Sequence, residues 1–252
     1  MSGPAGGAVA DGRSQPQPVA VELPGAVAYF SDRRGGVSEG PFATLNLGLN
    51  TADDPARVRE NRRLLLAAIG AGDRTLRWLQ QEHGADVWCW QRGAAPTERA
   101  DAPRADGHLT ASSRDALLVT TADCLPVALA GDGLVAAVHC GWRGLAAGVL
   151  AAAVTHFTQP PSAAIGPAIG PCCYQVGPEV AARFRDYEGA VRGDRLDLRA
   201  VCEQQLRSLG VRRIAQVAAC TACDPQRWFS HRRDGPATGR QGVVVIKRAG
   251  GA

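Results

Sequence analysis

A cysteine and a histidine stand at the ends of two neighbouring apolar runs of this chain. Cys124 lies in the segment Thr-Ala-Asp-Cys-Leu-Pro at 121–126, and His139 lies in Val-His-Cys-Gly-Trp-Arg-Gly at 138–144. The turn formers Gly-Asp-Gly at 131–133 join the two runs, which predicts a β-hairpin. Because both residues would then lie at the same edge of that hairpin, the thiolate and the imidazole can point at one place.

A second histidine could complete a set of metal ligands. His83 lies far upstream in Gln-Glu-His-Gly at 81–84, where Gly84 would let the backbone approach a ligand closely. Two imidazoles and one thiolate make a three-ligand metal site with a position left for water or substrate, whereas a structural zinc normally has four protein ligands. We therefore take His83, Cys124 and His139 as candidate metal ligands of a catalytic site. Ordinary packing in the core is the competing interpretation for Cys124 and His139.

Arg143 adds a positive charge beside this candidate site. It follows His139 closely at the predicted start of a helix, and a guanidinium together with a helix N-terminus favours phosphate. We therefore count Arg143 with Cys124 and His139 as candidate catalytic residues, and a structural ion pair is its alternative role. The segment Gly-Pro-Ala-Ile-Gly-Pro at 166–171 lacks the ending of a phosphate loop, although its backbone amides could hold an anion.

The remaining cysteines give weaker patterns. Cys220 and Cys223 form a C-x-x-C, which is typical of a zinc half-site or a redox pair. The sequence has no second C-x-x-C, and its only other close pair is Cys172 and Cys173. The pattern therefore does not predict a second structural zinc site. Cys140, beside His139, should point to the opposite face of its strand and pack in the core.

The composition indicates a globular protein with an ample core. The 252 residues are 45% hydrophobic and 21% charged, which suits one large domain or two small ones. The net charge is only +4 and the basic residues are scattered, so we expect no nucleic-acid partner. No apolar run is long enough for a membrane span, and residues 1–20 lack the apolar part of a signal peptide. We therefore expect a cytoplasmic protein with reduced cysteines and no membrane partner.

The order of predicted elements is mixed rather than a regular βαβ alternation. Residues 1–20 are expected to form a disordered tail, because they are polar and rich in proline and glycine. Residues 21–252 are expected to form one domain. Strands are predicted over 26–30, 77–81, 85–90, 117–121, 127–130, 134–139, 163–166, 214–218 and 243–247, and helices over 54–68, 144–157, 178–187 and 197–209.

Seven segments, in order along the chain, resemble the laccase-domain family, whose members are also described as multicopper polyphenol oxidase-like proteins. The match runs from about residue 26 to the C-terminus, and agreement of so many motifs makes it specific. The segments are Leu-Asn-Leu-Gly at 45–48, Glu-Asn-Arg-Arg at 60–63, Gln-Glu-His-Gly at 81–84, Thr-Ala-Asp-Cys-Leu-Pro at 121–126, His-Cys-Gly-Trp-Arg-Gly at 139–144, Gly-Pro-Ala-Ile-Gly-Pro at 166–171 and Phe-Ser-His-Arg-Arg-Asp at 229–234.

The resemblance implies a single α+β domain in which mixed β-sheets pack between helices. It implies a zinc site formed by His83, Cys124 and His139. It also implies a purine nucleoside enzyme that uses phosphate to cleave adenosine, inosine and S-methyl-5′-thioadenosine, and that deaminates adenosine. Bacterial members of the family are further linked to peptidoglycan editing.

Three residues are candidates for binding the substrates of such an enzyme. For phosphorolysis we expect Arg33 and Arg143 to bind phosphate and Asn46 to bind the nucleoside. The sequence does not show which group protonates the leaving purine, which nucleoside is preferred or how many chains associate.

The chain departs from the family pattern at several positions. Cys140 stands where alanine is frequent, and Asp32 replaces the usual Ser or Thr before Arg33. Three further differences, at Asn50, His108 and His231, involve side chains that could line the pocket and change its substrate preference. None of these differences removes one of the three candidate metal ligands.

Three other functions compete with the purine nucleoside enzyme. Two histidines and a cysteine also resemble a blue-copper ligand set, but the chain has only five histidines, too few for an imidazole-rich multicopper cluster. Cys124 and His139 could instead act without metal as nucleophile and base of a hydrolase, for example on a peptidoglycan precursor. A binding module that uses zinc structurally would leave no open coordination position.

Overall fold

Pairing between strands produces two main β-sheets in the computed structural model, which describes residues 14–91, 96 and 98–249. The strands are β1 (Val19–Leu23), β2 (Ala26–Phe30), β3 (Thr75–Trp78), β4 (Val87–Cys89), β5 (Gly107–Thr110), β6 (Asp115–Thr121), β7 (Leu125–Gly131), β8 (Leu134–Cys140), β9 (Ser162–Ile165), β10 (Val191–Arg192), β11 (Arg195–Leu196), β12 (Ile214–Gln216) and β13 (Gln241–Lys247). The α-helices are α1 (Pro55–Ala68), α2 (Trp142–Ala147), α3 (Val149–Val154), α4 (Pro178–Ala181), α5 (Leu198–Ser208) and α6 (His231–Asp234).

Both large sheets are mixed. The strand order is β1-β2-β13-β6-β3 in the five-stranded sheet and β12-β9-β7-β8-β5-β4 in the six-stranded sheet, and β10 pairs with β11 in a small ribbon. The pairs β3–β6, β4–β5 and β9–β12 are parallel, and the other pairs are antiparallel.

Alternation of residue size along the strands lets the two sheets face each other. In β7, Val127 and Leu129 pack on the side covered by α2, α3 and α5, whereas Ala128 and Ala130 pack toward Phe30 and the rest of the five-stranded sheet. Successive side chains of a strand point to opposite faces, so small residues collect between the sheets and larger ones under the helices. Helix α1 covers the outer face of the five-stranded sheet. The prediction of a single α+β domain with mixed sheets between helices is confirmed.

The hairpin predicted around residues 131–133 is present and positions the candidate site. In the β7–β8 pairing Pro126 lies opposite His139, and Gly131 lies opposite Leu134. Asp132 and Gly133 form the two-residue turn with φ of 50° and 74°, as a tight hairpin with the twist of its strands requires. Cys124 therefore lies just before β7, at the end of the hairpin where His139 lies in β8.

Several predicted helices and strands differ in extent from the structure. The helix predicted over 144–157 consists of α2 and α3, because Gly148 adopts a left-handed conformation (φ 85°) and ends α2. The helix predicted over 178–187 is only α4 followed by a 3-10 turn at Ala182–Phe184. The strand predicted over 77–81 is β3, which begins and ends earlier, and the one over 85–90 shortens to β4. Helix α1 begins as predicted, with the Asp54 side chain accepting from the Ala56 amide at 2.8 Å.

The last residues of the segment 1–20, which was predicted to be a disordered tail, are part of a β-strand. Val19 and Ala20 belong to β1 and lie opposite Phe30 and Tyr29 of β2, because pairing with β2 orders them despite the polar residues before them. Residues 1–13 of the predicted tail lie outside the described residues. Within the described ranges, no helix combines the length and the apolar character needed to cross a bilayer.

We expect Gly133→Ala to lower the free energy of unfolding by about 1 to 2 kcal/mol, because a side chain disfavours the left-handed backbone required there. A Cβ at this position would meet only the Lys247 Nζ, at 3.7 Å, so the backbone conformation and not a clash sets the cost. Gly72→Ala is the matched control, since a Cβ there meets nothing within 4 Å and its φ is not positive. Urea unfolding of both variants checks this, and equal midpoints would contradict it.

Candidate active site

Three side chains from distant parts of the chain converge at one end of the central strands β7 and β8 of the six-stranded sheet. The ligand atoms of His83, Cys124 and His139 all lie within 4.8 Å of one another. The two imidazole centroids are 4.8 Å apart, and their planes are nearly perpendicular, at 84°. His83 follows β3, whereas Cys124 precedes β7 and His139 lies in β8. The structure thus brings together the three residues that the sequence singled out as metal ligands.

The carboxylate of Asp106 holds His139 and the backbone around His83 through hydrogen bonds. One oxygen lies 2.7 Å from the Nδ1 of His139, and the carboxylate also accepts from the backbone amides of Glu82, His83 and Gly84 at 3.1, 2.9 and 2.6 Å. Since an ionised carboxylate only accepts, Nδ1 carries the hydrogen and the Nε2 of His139 is left for the site. Sequence reasoning missed Asp106, whose only signal was its place in a short loop before His108.

Neighbouring charges make the half-buried Cys124 and the buried His139 an ion pair. Burial raises the pKa of Cys124, but the two histidines, above all His139, outweigh this and lower it to about 6. Burial lowers the pKa of His139, but the Cys124 thiolate and the Asp106 carboxylate outweigh this and raise it to about 9. At neutral pH and without metal, the site therefore holds a thiolate and an imidazolium.

The backbone is shaped to leave room at the three ligands. A Cβ at Gly141 would lie 3.1 Å from the Cys124 Sγ and 3.2 Å from the His83 Cδ2, so a side chain here would push against two of the candidate ligands. His83 and Asp123 both have positive φ, at 61° and 101°, a conformation that costs energy for a residue with a side chain and concentrates at functional sites.

The donor set and its support are those of a transition-metal site. Imidazole and thiolate suit zinc or copper and not magnesium or calcium, which prefer oxygen ligands. A carboxylate on the outer nitrogen of a metal-binding histidine is the usual support for such a ligand. His83, Cys124 and His139 could therefore hold one ion with a fourth position facing outward.

The three ligands form one wall of a cavity of about 310 Å³. This volume lies at the lower end of the range for small-molecule sites. Other residues that line it include Asn50, Ile169, Tyr174, His231, Arg232 and Arg240. Asn50 and His231 thus line the cavity, as their departure from the family pattern suggested.

Two arginines bring positive charge to this cavity. Arg240 is held by its Nη1, which donates to the carbonyl oxygens of Thr238 and Gly239 at 2.8 and 2.9 Å. Burial lowers the pKa of Arg240, while the negative charges of Cys124 and Asp123 act in the opposite direction. Arg232 donates to the Gln175 carbonyl at 2.7 Å, and its guanidinium lies 5.1 Å from the centre of the Tyr174 ring. Sequence reasoning did not select either arginine, although Arg232 belongs to one of the family motifs.

Asp123 connects the loop of Cys124 to the far wall. Its Oδ1 accepts from the Thr221 hydroxyl at 2.6 Å, and its Oδ2 accepts from the Arg232 amide at 2.7 Å. Across the cavity, the Gln81 amide pairs with the backbone of Thr120 in both directions, at 2.8 and 2.9 Å. These hydrogen bonds hold the loops that carry the ligands in one relative position.

The three residues predicted to bind substrate are not among the described residues that line the cavity. Arg33 stacks on Phe229 at 4.5 Å and donates to the carbonyls of Ala43 and Pro225. Arg143 is exposed on α2 and stacks on Trp142, although its charge acts on the phenol of Tyr174.

Asn46 is a positioning residue and not a lining one. It is fully buried, and its Oδ1 accepts from the amides of Gly48 and Arg240 at 3.0 and 2.8 Å. Its Nδ2 donates to Asp53 at 2.9 Å. The sequence predicted that Asn46 binds the nucleoside because a motif does not show which way a side chain points. In the structure this side chain instead accepts from the backbone of Arg240.

The suggestion that His108 lines the pocket is wrong. Its side chain is buried on β5 and accepts from the Trp90 indole at 3.0 Å. Burial lowers the pKa of His108 to about 3, so this imidazole stays neutral. Cys140 is fully buried in the core under the helices, which agrees with its predicted packing role.

Comparison with known proteins gives matches over nearly the whole domain. Residues 27–248 match the family model described as multi-copper polyphenol oxidoreductase laccase. The chain is 39% identical over 234 residues to a Shigella flexneri protein named purine nucleoside phosphorylase YfiH, covering 88% of this chain and 93% of that protein. It is 37% identical over 251 residues to purine nucleoside phosphorylase YlmD of Geobacillus stearothermophilus, covering 89% and 91%.

Solved structures show the same architecture. The crystal structure of YlmD from Geobacillus stearothermophilus matches with a TM-score of 0.82 and 34% identity, over 90% of this chain and 93% of that one. Protein NMB0706 of Neisseria meningitidis matches with a TM-score of 0.82 and 31% identity, over 92% and 99%. The agreement in sequence and in fold shows that this chain belongs to the family described as multi-copper polyphenol oxidoreductase laccase.

Proposed function

We propose that this protein is a purine nucleoside phosphorylase whose His83, Cys124 and His139 hold a zinc ion. The observation that carries the proposal is that these three ligands share one cavity with two arginines, Arg232 and Arg240. Relatives with 37 to 39% identity over most of the chain are named purine nucleoside phosphorylases, which supports the same reaction here. A divalent ion at the three ligands would supply a Lewis acid beside the bound nucleoside.

The cavity can serve the two substrates in separate places. Phosphate is a divalent anion near neutral pH, and guanidinium groups bind it through paired charge-assisted hydrogen bonds. We assign this role to Arg240, fixed by two carbonyls, and to Arg232, fixed on Tyr174. The ring of Tyr174 and the apolar side chain of Ile169 offer surfaces against which a purine base can pack.

Phosphorolysis needs only the nucleoside and phosphate as reactants. An oxygen of phosphate bonds to C1′ of the ribose while the bond from C1′ to the purine nitrogen breaks. The purine leaves with one proton, which comes in net from the phosphate, and ribose 1-phosphate remains. Positive charge that builds on the sugar is stabilised by the adjacent phosphate, which the arginines hold in place.

Two finer activities belong to the same proposal. S-methyl-5′-thioadenosine and adenosine differ from inosine at the sugar or at C6 of the base, so we propose that the cavity admits them as well. Deamination of adenosine is the second reaction we propose: the oxygen of a water molecule bonds to C6 of the base, the bond from C6 to the amino nitrogen breaks, and ammonia leaves to give inosine. An ion held by three protein ligands would have a position left for that water. Incubation of adenosine without phosphate separates the two reactions, because only deamination can proceed under that condition. If no inosine forms, the proposed deaminase activity is refuted.

A multicopper oxidase is not proposed, despite the family description. The His and Cys groups that could hold a metal among the described residues are the trio above and one set of four cysteines. His108 is buried against Trp90, and His156 is exposed at the end of α3. His231 lines the cavity but does not belong to the group of His83, Cys124 and His139. An imidazole-rich copper cluster would need several of these histidines to meet, and they do not.

We expect phosphate-dependent release of hypoxanthine from inosine, and loss of about 100-fold or more of this activity in Cys124→Ala, because the variant removes a proposed ligand. Cys89→Ala is the matched control, since Cys89 is exposed and outside the cavity. The measurement is hypoxanthine formation with and without phosphate. Equal rates in the parent protein and Cys124→Ala would refute the assignment, and full activity after chelation with loss on alkylation would favour a cysteine hydrolase.

We expect Arg240→Gln to raise the KM for phosphate about 10- to 100-fold, the equivalent of the ~1.5 to 3 kcal/mol that a hydrogen bond to a charged group contributes. Arg143→Gln removes the same charge from an exposed site beside Trp142, and we expect a change of less than about threefold. Steady-state kinetics with phosphate as the varied substrate compares the two variants. A larger increase in the KM for phosphate in Arg143→Gln than in Arg240→Gln would assign the phosphate site to Arg143.

We expect zinc affinity at the three ligands to rise about tenfold per pH unit between pH 7 and 9 and then to level off. The metal-free site holds His139 with a pKa raised to about 9, so below that pH zinc must displace one proton from its Nε2. Cys124, with a pKa of about 6, is already ionised over this range. Competition with a coloured chelator measures the affinity, with Cys124→Ala as the baseline, and a flat profile would contradict the ion pair.

A further inference from the structure

Four cysteines from two distant parts of the chain meet outside the cavity. The sulfur atoms of Cys172, Cys173, Cys220 and Cys223 all lie within 4.8 Å of one another. The Cys223 Sγ is 3.5 Å from that of Cys172 and 3.4 Å from that of Cys173. The sequence pattern did not predict a second metal site because it offered only one C-x-x-C. The fold supplies the missing half from the adjacent pair at 172 and 173.

The spacing of the sulfur atoms is that of ligands to one ion. Four thiolates at about 2.3 Å from a central zinc, in tetrahedral geometry, are separated from each other by about 3.8 Å. The two shortest contacts given by Cys223, 3.4 Å and 3.5 Å, are within about 0.4 Å of that value, and no sulfur atom of the group lies more than 4.8 Å from another. An iron–sulfur cluster would divide its four thiolates between two or four iron atoms, so that at least some of the sulfur atoms would lie farther apart.

The backbone holds the two pairs of cysteines against each other without any metal. Ala168 forms a β-bridge with Cys220, and the amide of Thr221 donates to the Ala168 carbonyl at 3.1 Å. The amide of Gly170 donates to the Cys220 Sγ at 3.2 Å, a bond that favours the thiolate. A Cβ at Gly170 would lie 3.4 Å from the Cys172 Sγ, so this glycine lets the loops approach closely.

Arginines surround the cysteines and bind the carbonyls of the same loops. Arg195 donates to the carbonyl of Cys172 at 3.2 Å, Arg199 to that of Ala219 at 3.3 Å, and Arg233 to that of Thr221 at 3.0 Å. A divalent ion with four thiolates carries a net charge of −2. Three guanidinium groups bound to the same loops would offset part of that charge once the ion is present.

We propose that Cys172, Cys173, Cys220 and Cys223 bind one zinc ion in a closed tetrathiolate site. With four protein ligands the ion has no open position, so the site is structural and takes no part in turnover. It braces the cavity wall, because Tyr174 follows Cys173 and Thr221, which holds Asp123, follows Cys220. The site is independent of the phosphorylase proposal, since none of its ligands lines the cavity among the described residues.

Cobalt substitution tests the proposal on the full chain. Reduced, metal-free protein is titrated with Co²⁺ under anaerobic conditions, and we expect one equivalent to give the intense visible and near-ultraviolet bands of a tetrathiolate ion. Cys220→Ser with Cys223→Ser should lose that equivalent, whereas Cys124→Ala and Cys89→Ser should keep it. Failure of the active-site assignment would appear in a different measurement, as equal rates of hypoxanthine formation by the parent protein and Cys124→Ala.

Alkylation of the parent protein gives a second measurement that does not depend on how the variant folds. After zinc loading, we expect the four cysteines to be protected from N-ethylmaleimide and to become reactive once a chelator removes the ion, while exposed Cys89 reacts in both states. Mass mapping reports each cysteine separately. A disulfide from Cys223 to Cys172 or Cys173 that forms in air, together with no cobalt binding after reduction, would overturn the proposal. So would equal cobalt binding by the parent and the double variant.

Discussion

The buried carboxylate of Asp106 is the contact on which the candidate active site depends. It joins the imidazole of His139, on the β7–β8 hairpin, to the backbone of residues 82–84, which have no strand pairing of their own in the structure. A buried carboxylate is costly unless its oxygens are fully engaged, and here three amides and one imidazole engage them. The same contact therefore brings His83 to the site, selects the tautomer of His139 and raises its pKa.

The packing of the two sheets explains why such a site can be rigid. Alanines on the inner faces let the sheets approach, and Phe30 fills the space next to Gly166, where a Cβ would lie 2.4 Å from its ring. The loops at one end of this double layer, which carry Cys124, Ile169 and Thr221, are connected to each other by hydrogen bonds. A cavity built on those loops keeps its shape before a ligand arrives, which lowers the entropic cost of binding.

The cavity and the cysteine cluster use the same loops for different purposes. On the inner side, Asp123, Tyr174 and Arg232 shape a polar cavity, and on the outer side Cys172, Cys220 and their neighbours draw the loops together. Two imidazoles and a thiolate leave a coordination position open, while four thiolates close it. The number of ligands, more than the identity of the metal, separates a site for chemistry from a site for support.

The sequence by itself determined the elements whose signals are local: the capped start of α1, the Asp-Gly turn of the hairpin and the alternating strands around Cys124 and His139. It also gave the three candidate ligands, because their residue types and motifs are distinctive. Only the tertiary structure decided what depends on the direction of side chains and on distant contacts. It made Asp106 the partner of His139 and buried Asn46. It placed Arg232 and Arg240 at the cavity instead of Arg33 and Arg143, and it brought together four cysteines, of which Cys172 and Cys223 are 51 residues apart. The physical reason is that a chain pattern fixes spacing along the backbone, whereas the side on which a polar group lies is set by which loops the sheets bring together.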